Sequence, residues 1–130
     1  MTSIQKLKFI ILSRQGADIL SKLELDVLYG TQGPDFGEII DDLFESCKPD
    51  LDLQEARCAG IDTGLKGPFN RNYECKVLAA KTPDETWIAW NFWYGGGKHG
   101  YPEDIPWIES AFEIRHRTET REVDVFWRED

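Results

Sequence analysis

The spacing of hydrophobic positions changes once along this chain, from a helical period before Pro49 to an alternating one after it. In the first stretch Ile4, Leu7, Phe9, Ile10, Ile11 and Leu12 are apolar, a crowding that fits a helix and a buried strand about equally; a helix over 4–12 is the expectation. From Ala17 onward, Ile19, Leu20, Leu23, Val27 and Leu28 fall on one helical face, and Gly30 stands where a left-handed cap would close a helix ending near Tyr29. A further helix is predicted from Pro34 or Asp35 to Cys47. Its inner face is Ile39, Ile40, Leu43 and Phe44, and Lys48 with Pro49 ends it.

Beyond Pro49 the pattern is that of strands. Residues 54–62 read as a short strand, and Gly60, Gly64, Gly67 and Pro68 punctuate the loop that follows. Residues 73–81 alternate cleanly, with Tyr73, Cys75, Val77 and Ala79 on one side. Thr82-Pro83-Asp84-Glu85 is a turn, and residues 86–94 pair back as a hairpin partner. That second strand is apolar on both faces, Trp87, Ala89 and Trp93 on one and Ile88, Trp90, Phe92 and Tyr94 on the other. Such a strand is either central and covered twice or displays an aromatic platform. Residues 101–112 predict a short helix opened by Pro102 and two early acids. Phe112–Thr118 and Arg121–Trp127 then form a terminal hairpin. The sum is a single α+β domain over 1–130, with two or three helices packed on a mostly antiparallel four- to five-stranded sheet.

Charge is unevenly placed. The chain of 130 residues has a net charge of −9. Residues 31–55 hold eight acids against Lys48, residues 101–130 hold nine against four arginines, and 56–100 is slightly basic. Phosphate neutralisation by Lys and Arg dominates non-specific nucleic-acid affinity, so direct nucleic-acid binding is not expected, nor is an anionic membrane surface. A negative field instead steers basic partners, although solubility alone also accounts for a charged exterior. No apolar run spans a bilayer and no secretory leader is apparent, which predicts a cytoplasmic protein. Cys47, Cys58 and Cys75 show no metal or disulfide spacing and read as reduced, partly buried thiols.

The candidate chemistry centres on residues 90–107. Gly95, Gly96, Gly97, Lys98 and His99 follow a strand and precede a predicted helix, a context in which backbone amides and a helix N-terminus hold an anion. The pattern matches neither the P-loop nor the dinucleotide fingerprint, and a bent surface connection uses glycines equally well. His99 and His116 have no Cys or carboxylate at ligand spacing, and Asp41, Asp42 and Glu45 lie on a helix without a calcium-type loop, so no cofactor or metal is expected. No nucleophile elbow is present, and a Cys75–His99 pair is weakened by the apolar side on which Cys75 falls. Five tryptophans exceed what such a core requires. Trp87, Trp90, Trp93, Tyr94, Tyr101 and Trp107 are therefore candidate anchors, and with Glu103, Asp104 and Glu109 they could also cage a cation.

Two readings follow. The first is a non-enzymatic binding protein of the inhibitor, immunity or antagonist kind, whose acidic surface (Asp35, Glu38, Asp41, Asp42, Glu45) meets a basic protein partner. The second is a small-molecule or nucleotide-binding protein or enzyme that uses Gly95–Gly100 with Lys98, His99 and neighbouring aromatics to hold a phosphorylated or cationic ligand. A homo-oligomer joined through its aromatic sheet face is a third. The first is preferred, because every candidate nucleophile, base and metal set has an ordinary structural explanation.

Overall fold

A computed structural model describes residues 1–15, 36–117 and 126. Among them three helices, α1 (Ser3–Gln15), α2 (Phe36–Cys47) and α3 (Leu53–Cys58), pack with an antiparallel meander of four strands in the order β1-β2-β3-β4. The strands are β1 (Ile61–Lys66), β2 (Glu74–Lys81), β3 (Trp87–Tyr94) and β4 (Phe112–Ile114). The α+β class is as expected. The helix over 17–29 and the second arm of the terminal hairpin lie outside the described residues.

The ambiguous first stretch is helical, and its start shows why. Thr2 Oγ1 accepts from the Gln5 amide at 3.1 Å while Gln5 Oε1 accepts from the Thr2 amide at 2.9 Å, a reciprocal capping box that satisfies two otherwise orphaned donors. Leu7, Phe9, Ile10, Ile11 and Leu12 are all buried, so the helix is enclosed on more than one side and no single apolar stripe marks its period. Its C-terminal end holds α3 in place: Gln15 exchanges two hydrogen bonds of 2.7 Å with the Asp52 backbone, and Arg14 Nη1 donates to the Ala59 carbonyl at 2.8 Å.

Residues 54–60 are not a strand. Asp52 caps a short helix by accepting from the Glu55 amide at 3.0 Å, and β1 begins only at Ile61. Gly64, expected in a loop, sits inside β1, where the register slips between Asp62 and Lys66 in a bulge. The predicted helix over 101–112 is instead two 3-10 turns at Pro102–Asp104 and Ile108–Ser110. Pro102 and Pro106 remove the amides a longer helix would use.

The hairpin of β2 and β3 is in full register from Glu74↔Tyr94 to Lys81↔Trp87. Its two faces bury unequally. Leu78, Ala80, Ile88 and Trp90 join the helices in the main core, together with Trp107 and Ile108. The side carrying Cys75, Val77 and Ala79 forms a smaller cluster with Ala89, against which Trp87 and Ile114 pack. Trp90 is the centre of the main core, 1% exposed. Its indole N–H donates to the Arg57 carbonyl at 3.1 Å, and its ring lies 5.7 Å from that of Trp107. No helix among the described residues is long and apolar enough to cross a membrane.

Gly60 lets the chain pass over this indole. A Cβ there would stand 2.7 Å from two Trp90 ring carbons and 2.8 Å from Leu78 Cβ. Gly60→Ala is therefore expected to lower unfolding free energy by about 1–3 kcal/mol through overpacking, measured by urea denaturation with Trp fluorescence; an unchanged midpoint would show that the contact is slack.

Candidate functional site

Two surfaces hold the chemistry-bearing residues: the outer face of α2, and the sheet end where the 67–73 loop meets the glycine turn. On α2, Phe36, Ile40, Phe44 and Cys47 are buried, and the i, i+4, i+7 spacing of Glu38, Asp42 and Glu45 sets those three carboxylates on one exposed stripe. Among the described residues no ion pair or hydrogen bond neutralises these side chains. Leu43 is half-buried against the core, but Ile39, expected on the inner face, is 45% exposed. The inner arc is already filled by Phe36, Ile40, Phe44 and Cys47, and Ile39 lies roughly one hundred degrees around the helix from Glu38, beside the stripe.

Asp41 leaves the acidic set. Its carboxylate accepts from Gln5 Nε2 at 2.9 Å and Lys8 Nζ at 3.0 Å, so it fastens α2 to α1. The Gln5 hydrogen bond, and after it the Lys8 contact and charge, hold its pKa below the ordinary carboxylate value against the opposing effect of desolvation. Asp35 lies outside the described residues.

The glycine turn has a conformational explanation. Gly95, Gly96 and Gly97 have φ of 81°, 86° and 69°, the left-handed region that side chains with a Cβ avoid. Gly96 also rests on the Tyr73 ring, and the Tyr101 amide donates to Tyr73 Oη at 3.2 Å. The turn leads into one 3-10 turn, so the helix N-terminus that a phosphate cradle would draw on is not formed. Lys98 and His99 are exposed. Cys75 is half-buried with Sγ against Gly67, its pKa raised chiefly by burial. No hydrogen bond joins it to His99. Cys47 is buried, whereas Cys58, expected to be partly buried, is exposed.

The candidate aromatics separate into three groups. Trp90 and Trp107 are sealed in the main core and cannot serve as anchors. Trp87 and Trp93 are half-buried; the Trp87 ring lies 4.7 Å from that of His116 beside a cleft shared with Ile61, Leu65 and Arg115. Tyr94 and Tyr101 are exposed.

Two side chains escaped the sequence reading. Arg57 is 8% exposed and crosses the Phe92 ring at 4.5 Å, its Nη1 donating to the Trp93 carbonyl at 2.7 Å. Among the described residues its Nε has no partner. Phe69 is 95% exposed, and the string Gly67-Pro68-Phe69-Asn70, an aromatic set among turn residues, was the signal for it. Among the described residues no three His, Cys, Asp or Glu side chains gather as a metal site. No protein-family model matches the chain, and no match to it was found among curated proteins or solved structures.

Two outcomes are expected. Because the Asp41 pKa is depressed on folding, its contribution to stability is present above the unfolded value and is lost as pH falls through the folded one. Wild type should thus lose more stability than Asp41→Asn between about pH 5 and pH 3, read from urea midpoints; parallel curves would remove Asp41 from the α1–α2 joint. Gly96→Ala should destabilise by about 2 kcal/mol or more through its left-handed φ and the Tyr73 ring, whereas Lys98→Ala with His99→Ala should leave the melting temperature in place.

Proposed function

We propose that this protein is a non-enzymatic binding protein of the inhibitor or immunity kind, working in the cytoplasm, that engages a basic protein partner through the outer face of α2. One observation carries the reading: Glu38, Asp42 and Glu45 form a stripe that no partner among the described residues neutralises, with Ile39 exposed along its flank. Carboxylates spaced along a rigid helix steer a cationic surface into register, and an aliphatic side chain at the rim supplies area that water leaves on contact. Asp41, which is equally acidic in the sequence, is tied to Gln5 and Lys8 and takes no part. The net charge of −9 extends the attraction beyond the stripe, and three free thiols suit a reducing compartment.

The test compares wild type with Glu38→Gln/Asp42→Asn/Glu45→Gln. Relief of like-charge repulsion leaves the variant folded, with an unchanged or higher melting temperature. A partner captured on wild type and then purified is followed by stopped-flow association. Wild-type association should slow about tenfold or more between about 20 and 200 mM salt, while the variant should start slower and show little salt dependence. Ile39→Ala should raise the dissociation rate. Equal association rates for the two proteins at low salt would sink the proposal.

A further inference from the structure

The other surface calls for different chemistry. At the end of the sheet a cleft of about 390 Å³ is walled by Phe69, Tyr73 and Tyr94 with Lys66 and Glu74 at its sides, a volume within the range of small-ligand pockets. The loop that displays Phe69 is braced: Asn70 Oδ1 accepts from the Asn72 and Tyr73 amides at 2.8 and 3.2 Å, and the Gly67 amide donates to the Cys75 carbonyl at 3.1 Å. A phenyl ring held almost wholly in water by a fixed loop makes no contribution to the core. The Tyr94 ring is already under a cation, Lys76 Nζ at 5.5 Å from its centroid. Lys76 is paired with Asp62 at 3.6 Å, which leaves Lys66 as the cation at the side of the cleft, facing Glu74.

We infer that this cleft binds a planar aromatic anion of mononucleotide size, its ring stacked on Phe69 and Tyr94 and its phosphate held by Lys66. Aromatic walls accept any π face, a single lysine at the side supplies the counter-charge, and Glu74 offers an acceptor to an exocyclic amine or a sugar hydroxyl. The site shares no residue with the α2 stripe, so each can fail without the other.

Isothermal titration calorimetry with adenosine 5′-monophosphate, adenosine and inorganic phosphate separates the two halves of the interaction. The monophosphate should bind, and adenosine and phosphate should each bind about tenfold weaker or less well. Phe69→Ala should weaken both the monophosphate and adenosine by about tenfold, with no change in melting temperature because Phe69 has no place in the core. Lys66→Gln should bring the monophosphate down to the affinity of adenosine and leave adenosine itself unchanged. No heat with the monophosphate at millimolar concentration, or equal monophosphate affinity in wild type and both variants, would overturn the inference. So would an oligoadenylate that binds about a hundredfold tighter than the monophosphate through the same side chains, since that marks a polymer surface instead.

Discussion

The burial of Trp90 is the constraint from which the rest of the arrangement follows. An indole is large enough to fill the space between sheet and helices, but its N–H needs a partner once water is gone. The Arg57 carbonyl is that partner at 3.1 Å, so the chain of α3 must cross the sheet at one place. Gly60 makes the crossing close enough, and Arg14 and Gln15 of α1 secure both ends of α3 from the far side. The same crossing carries the Arg57 guanidinium onto Phe92 and the Trp93 carbonyl. A short helix of six residues, too short to be stable alone, is thereby held by tertiary contacts at every turn.

Charge on α2 is divided by geometry. Four acids at 38, 41, 42 and 45 are indistinguishable in composition, yet only one of them faces α1. Asp41 is balanced by Lys8 and Gln5 and serves the helix joint. The other three face outward, and their repulsion is tolerated because the buried side of α2, with Phe36, Ile40, Phe44 and Cys47, secures the helix. A surface with an uncompensated field of this kind is suited to fast, salt-sensitive association.

In the folded chain the glycine-rich turn and the exposed aromatics exchange the roles their sequences suggest. Three consecutive left-handed residues and the contact with Tyr73 account for Gly95, Gly96 and Gly97 without a ligand. What the turn does is buttress Tyr73, through Gly96 beneath the ring and the Tyr101 amide at the hydroxyl. Tyr73 in turn forms a wall of the cleft beside Phe69 and Tyr94. The residues that looked most like a binding loop are scaffolding, and those that looked like loop filler are presented to solvent.

Local patterns in the chain were enough for the end of α2 at Cys47, the β2–β3 hairpin and its turn, and the α+β class, because each rests on a period that neighbouring residues impose on themselves. Two further signals were readable: Thr2-x-x-Gln5 marks the start of α1 and Asp52-x-x-Glu55 that of α3, and both are capping patterns that outrank an ambiguous run of apolar residues. Other features were settled only by tertiary structure. Both faces of β3 are apolar, so nothing in 86–94 distinguishes Trp90 in the core from Trp87 and Trp93 on the reverse; the helices decide it by covering one side. Likewise Asp41 differs from Asp42 only in what lies across from it. Sequence by itself determined periodicity, charge and turn chemistry, which are properties of adjacent residues. Which indole is enclosed, which carboxylate is paired and which ring meets water depend on partners 30 or more positions away, such as Arg57 for Trp90 and Gln5 for Asp41, and only packing brings those together.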